Sequence, residues 1–218
     1  MRINADFGQR AIVARSDELW VSSPAAGVDR LMLDRIGEEK ARATSIVRYA
    51  SGSSFARHMH PQGEEFLVLE GVFSDEHRDY PGGSYVRNPP GTGHSPHSEP
   101  GCRLLVKLRQ FDAGDLTPIV IDTGDGQGWQ SDHDVSGDRR PLYRYGSEIV
   151  TMRRARAGSR LSLTAGQGGL EWLVVSGAVQ FEGTDYPAES WFRFPDGDAI
   201  VMNVLEDCVI WEKSGHLP

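Results

Sequence analysis

The sequence predicts an all-β protein built from two copies of one antiparallel jelly-roll barrel. Three observations point there. Short runs rich in branched and aromatic residues, such as 44–49, 66–69, 104–108, 172–175 and 209–211, are separated by Gly, Pro and Asp, as strands are. Helix-like patterning is confined to a short stretch near Gly37–Arg42, which reads equally well as a turn. Finally, the chain repeats itself. A shift of 106 residues lays Gly52 on Gly158, Gly71 on Gly177 and Cys102 on Cys208 without a gap, and 18 of 60 positions from Arg48 to Lys107 are identical. Even spacing of short strands is the pattern of sandwiches and double-sheet jelly rolls.

Taken in order, residues 1–19 read as an N-terminal arm, 20–121 as a first barrel and 122–218 as a second, and 218 residues suffice for two small domains. The opening Met1-Arg-Ile-Asn-Ala-Asp-Phe lacks the apolar run of a signal peptide, and no stretch approaches a membrane span. Cys102 and Cys208 sit at equivalent positions in apolar strands and read as buried free thiols. Together these features predict a cytoplasmic protein. The whole net charge of −8 falls in residues 112–218. Seven aspartates lie between Asp112 and Asp138 with no Lys or Arg among them, interspersed with glycines, as in a solvated connector. It is interrupted by Pro118-Ile-Val-Ile121, read as a strand that closes the first sheet. A negative surface repels phosphate, so nucleic acid is excluded as a partner.

His58, His60, Glu64 and His94 read as one metal site. Side chains two apart on a strand share a face, so His58-Met-His60 sends both imidazoles into one interior. A turn at Pro61-Gln-Gly63 then returns Glu64 towards them. Three neutral imidazoles and one carboxylate suit a single divalent ion, zinc first, with iron, manganese and nickel as alternatives. An isolated histidine is more often a solvated side chain, but five of the seven histidines fall between positions 58 and 97. His77 and His97 stand outside the pattern, as surface residues or as neighbours of the ligands. The repeat sharpens the assignment, because His58, His60, Glu64 and His94 align with Thr164, Gly166, Leu170 and Ile200. A charged ion against Leu and Ile without donors is strongly disfavoured, so the second copy is expected to be metal-free. Glu65 aligns with Glu171 in that copy and is therefore expected to be structural and outward-facing, leaving Glu64 as the ligand.

These residues resemble the cupin family, whose first motif is matched from Gly52 through His58, His60 and Glu64 to Gly71, and whose second is matched from Gly83 through Pro89 and Gly91 to His94. The match departs at Ser98, where the family has Asn at a position that is not a ligand. The stretches Arg42–Arg48, Glu64–Asp75 and Tyr80–Pro89 are similar to the ChrR-type cupins, named for the zinc-binding cupin domain of an anti-sigma factor. The resemblance is strong over residues 20–111 and weaker beyond. It implies a duplicated double-stranded β-helix, a bicupin, with one metal-binding and one metal-free barrel.

Two functions follow from that likeness. One is a metal-binding, regulatory or stress-sensing cupin. In the founding anti-sigma factor a separate helical domain with its own zinc ligands contacts the sigma factor, whereas residues 1–43 here contain no His or Cys, so sigma-factor binding is not expected. The other is a metal-dependent dioxygenase that uses Fe(II) on a diketone or hydroxyketone. Either reading expects a small molecule or dioxygen at the metal, and Phe66, two residues after Glu64 on the same strand face, is expected to line that pocket. Arg57, Tyr85 and Arg87 are near in sequence, but none is singled out as a general base, and no catalytic residue is assigned. Cupins pair through sheet edges, so a homodimer is expected.

Overall fold

Regular structure among the described residues is entirely β, with no α-helix, in a computed structural model that describes residues 1–15, 20–38, 40–132 and 137–218. Gly37, Glu38 and Lys40 lie in bends, and Arg42 is the first residue of the strand Arg42–Tyr49. The chain forms two compact units: Met1–Ala5 with Leu19–Asp125, and Asp6–Glu18 with Gly126–Pro218. Residues 1–19 are thus divided between them. The strand Arg2–Ile3 pairs with Val28–Ile36 in the first unit, and Ala11–Val13 pairs with Trp191–Phe194 at the edge of the second.

In the first unit one long sheet runs Arg2–Ile3, Val28–Ile36, Arg42–Tyr49, Cys102–Leu108, Glu64–Ser74, Ser84–Asn88, Ile119–Asp122. The edge strand after Pro118 closes the sheet, as its apolar run predicted. A small ladder faces the interior, formed by His58–His60 and Thr92–His94. The second unit has a seven-stranded sheet and a four-stranded sheet, Arg160–Thr164, Ala199–Val204, Ala178–Phe181 and Thr184–Pro187.

The repeat holds strand by strand. Arg42–Tyr49 corresponds to Glu148–Ala155, and Cys102–Leu108 to Cys208–Ser214, each at a spacing of 106 residues. Irregularities repeat as well. The pairing of Cys102–Leu108 with Glu64–Ser74 skips Leu69, and the equivalent pairing in the second unit skips Val175. Gly71 and Gly177 end these bulged stretches with φ of 76° and 78°. A Cβ there would meet the carbonyl oxygen of Gly101 at 2.0 Å or of Asp207 at 2.3 Å, so only glycine fits. Cys102 and Cys208 are buried and unbridged, and burial raises both thiols, Cys102 to about 11.

The interiors differ. The second is a continuous apolar core that includes Leu170, Trp172, Phe192, Phe194 and Ile200. The first packs Phe66, Val68, Phe73, Tyr80, Val86 and Leu104 at one end and leaves the other end to polar side chains.

Candidate metal centre

The small ladder of His58–His60 and Thr92–His94 sets the histidines. Thr92 pairs with His60 and His94 with His58, so the three imidazoles are brought edge to face with centroids 4.7–5.1 Å apart. After His60 the chain reverses through Gly63 at φ 78°, where a side chain would strike the ring of Phe111 at 2.4 Å. That turn delivers Glu64 as the first residue of its strand. One potential ligand atom from each of His58, His60, Glu64 and His94 lies within 4.8 Å of the other three. Glu64 Oε2 is 3.5 Å from Nε2 of His60 and 3.5 Å from Nε2 of His94.

The neighbours of each ring determine which nitrogen is free. His58 Nδ1 is 3.0 Å from the Ala56 carbonyl oxygen, which only accepts, so Nδ1 holds the proton. His60 Nδ1 is 3.4 Å from Thr92 Oγ1, whose own proton goes to the Pro89 carbonyl at 2.8 Å. His94 Nδ1 faces Asp75 Oδ2 at 3.4 Å. His60 and His94 both turn Nε2 towards Glu64. The Nε2 atoms of His60 and His94 are buried without a hydrogen-bond partner, and so is His94 Nδ1, which has Asp75 only as an ionic neighbour at 3.4 Å. Buried polar atoms are rarely left so, and here the partner missing at the two Nε2 atoms matches the electron-pair acceptor that a metal ion is. Burial, and then the adjacent His58, pushes His60 down to about 4, and burial lowers His94 as well. Both are neutral near pH 7, as metal coordination requires. The donor set fits one divalent cation.

Two residues beside the cluster escaped the sequence reading. Asn88 Nδ2 donates to Glu64 Oε2 at 3.2 Å and steadies the carboxylate. Asp75 is fixed by the backbone N–H groups of His77 and Arg78, at 2.8 and 3.1 Å, and by the Tyr80 hydroxyl at 3.1 Å. The signal was present: the same 106-residue shift that removes the ligands turns Asp75 into Phe181 and Asn88 into Phe194.

A cavity of about 290 Å³ opens beside the cluster and shares His58, His60, Glu64 and His94 as wall. Phe66 lines it, packed against Phe73 and Tyr80. Tyr85 and Arg87 do not. They lie on the opposite face of the sheet, where the Tyr85 hydroxyl donates to Glu65 at 2.6 Å and Arg87 pairs with Asp115 at 2.6 Å and Glu65 at 3.3 Å. Glu65 is consequently not outward-facing in the sense expected; it is buried in a charge network, and its counterpart across the repeat, Glu171, is likewise buried, accepting from Trp191 and facing His216. Arg57 is exposed and pairs with Glu76, and His77 and His97 are exposed. In the second unit Leu170 and Ile200 are part of the apolar core, and no second cluster of potential metal ligands occurs among the described residues.

Comparisons with known proteins agree with this architecture. Residues 8–112, about half the chain, match the family model of the ChrR cupin-like domain. No curated protein matches the sequence. Among solved structures, a candidate dioxygenase from Nostoc punctiforme superposes with a TM-score of 0.73 at 11% identity, covering 96% of this chain and 84% of its own. The bacterial pirin YhhW of Escherichia coli, in complex with nickel(II), gives 0.70 at 15% identity, covering 96% and 99%. A variant of Bacillus subtilis oxalate decarboxylase gives 0.65 at 13% identity, covering 94% and 77%, and manganese(II) centres are described for that enzyme. At these identities the likeness establishes the fold.

Proposed function

We propose, from the match of residues 8–112 to the ChrR cupin-like domain, that the first barrel is an open metal centre that binds and transforms a small molecule, in the manner of a metal-dependent dioxygenase. One divalent ion per chain is held by His58, His60, Glu64 and His94. The observation that carries this reading is the cavity of about 290 Å³ walled by all four residues. Structural metal sites are closed by their protein ligands, whereas catalytic sites keep a position for water or substrate.

The open side also bears on the metal. Zinc, expected from the ChrR resemblance, is satisfied by four ligands. A centre with a fifth or sixth position suits iron(II), manganese(II) or nickel(II), and two relatives of the same fold hold nickel or manganese. Iron(II) is the metal proposed for the oxygenase reading, since it supplies dioxygen binding and electron transfer. The chain's own residues set the surroundings. Glu64 offsets one positive charge, Asn88 fixes its orientation, and Asp75 faces His94 Nδ1. Phe66 and Phe73 keep that end of the cavity apolar, which limits water around a reactive ligand.

Elemental analysis of protein purified without chelators, followed by anaerobic iron loading and oxygen-electrode measurements with diketones and hydroxyketones, tests the proposal. One metal per chain and substrate-dependent oxygen consumption, abolished in Glu64→Ala, support it. Tightly bound zinc with no exchangeable position and no oxygen uptake overturns it in favour of sensing, the reading that the ChrR family match supports. We further propose that the protein is a homodimer and that this chain alone does not capture a sigma factor. A stoichiometric complex in a pull-down overturns the latter.

A further inference from the structure

We propose that the ligand of the first barrel is a small organic carboxylate, anchored through its charged end by Arg35, with its other oxygens at the metal centre. This rests on the open-centre reading above and adds the chemical class of the ligand.

The lead is a reversal of sign. The chain carries a net charge of −8. Yet the charged residues that line the cavity are Arg30, Arg35 and Arg109, against the single carboxylate of Glu64. A bound divalent ion adds to that positive excess. A concave site of one sign, with apolar walls, concentrates ligands of the other.

Arg35 is the most committed of the three. Its residue is 7% exposed. Its guanidinium donates to the Glu38 carbonyl oxygen, a neutral acceptor, and no described carboxylate lies within 4.0 Å of it. The Glu38 carboxylate pairs with the amino terminus and interacts with the Arg35 guanidinium only at longer range. A buried guanidinium calls for an anionic partner, and the fork geometry of arginine matches a carboxylate.

Backbone register explains how this side chain comes to face the cavity. The strand Val28–Ile36 pairs Met32 with Ser45 and then, across a bulge at Leu33, Asp34 with Thr44 and Arg35 with Ala43. The extra residue changes the alternation. Asp34 is sent to the outer face, where it accepts from the Thr44 backbone N–H at 3.1 Å, and Arg35 is sent inward beside Ala41 and Ala43. Bulges re-aim side chains in this way. The second unit repeats the bulge at Leu142, but the corresponding Arg144 is exposed, so burial beside a cavity distinguishes Arg35.

The same register places Arg35 opposite the cluster. Glu64 pairs with Leu108, Leu108 with Ala43, and Ala43 with Arg35, one row across four strands. Three strand spacings separate the two ends by about 14 Å of curved sheet. Between them the wall is formed by Ala43 beside Arg35 and Leu108 beside Glu64, so the low methyl of Ala43 leaves the long arginine side chain room to reach along the span towards a short ligand. Arg109, held at φ 60° with Nη1 donating to Gln62 at 3.0 Å, adds a second positive charge to the wall.

Titration calorimetry with succinylacetone and its methyl ester tests the assignment, since both present a chelating diketone and only the acid has a carboxylate on a short arm. The protein is loaded with cobalt(II) as a spectroscopic stand-in, and its visible spectrum reports contact with the metal. We expect the acid to bind at least about tenfold more tightly than the ester, a preference of the size that one charge-assisted pair gives. Arg35→Met should erase that preference without changing metal content or the affinity of the ester, and Arg35→Lys should keep part of it. Thermal melts of both variants establish that they are folded. Equal binding of acid and ester, persistence of the preference in Arg35→Met, or no binding of either to fully loaded protein overturns the assignment and leaves the metal site intact. Failure to take up metal overturns the open-centre reading itself.

Discussion

Asp75 makes no approach to the centre of the cluster, yet it faces the outer nitrogen of His94 and is fixed by three donors of its own. Such outer partners orient the ring and raise its basicity. Asp75→Asn should therefore lower metal affinity by about 10–100-fold while the fold is retained, as measured by competition with a chromogenic chelator. His60 gives a second prediction, for the metal-free protein. Its folded value near 4 lies below the ordinary histidine value of about 6.5, so between these limits the unfolded chain takes up a proton that the fold excludes. Stability should be level above pH 7 and fall by about 3 kcal/mol as pH drops through 6.5 towards 4. Urea titrations across that range check it, and His60→Gln should remove this part of the slope. The four clustered residues were legible in the sequence because ligand chemistry and spacing coincide. Arg35 was not, because its direction depends on one unpaired residue in a strand, and periodicity alone would have turned it outward.

At the scale of elements, glycine carries the most specific information. Gly71 and Gly177 combine a left-handed backbone with a carbonyl oxygen where a side chain would begin. Gly52 has a similar φ of 72° but open space around it. Alanine at Gly71 or Gly177 should cost at least about 3 kcal/mol, and at Gly52 about 1 kcal/mol, measured by denaturant midpoints. If the three variants lose equal stability, crowding is not what selects glycine here. Strand existence was readable from branched and aromatic runs, and so was the edge strand after Pro118. The partner of Ala11–Val13 was not. Three apolar residues can pair with any open edge, and the choice of Trp191–Phe194 is made by the tertiary structure.

For the whole molecule, the repeat shows a division of labour. One barrel keeps the donor set beside a cavity, and the other fills the equivalent positions with Leu170 and Ile200. The double variant His58→Ala, His60→Ala should lower metal content from one per chain to none by mass spectrometry, without a loss of cooperative unfolding. Residual metal after that change would mean a site elsewhere.

The path of the first nineteen residues has a consequence for biosynthesis. Ala11–Val13 leaves the ribosome well before its partner strand, Trp191–Phe194, because residues 19–125 of the first unit are made between them. The second unit therefore cannot complete its sheet until Trp191–Phe194 has been made, and the early segment must wait without a partner. Separation of the two barrels at the repeat boundary would strand that segment on the wrong fragment. A chain that begins at residue 20 should accordingly expose the edge of Trp191–Phe194, lose proteolytic protection in residues 126–218 before the first unit, and regain it when a peptide of residues 1–19 is supplied in trans.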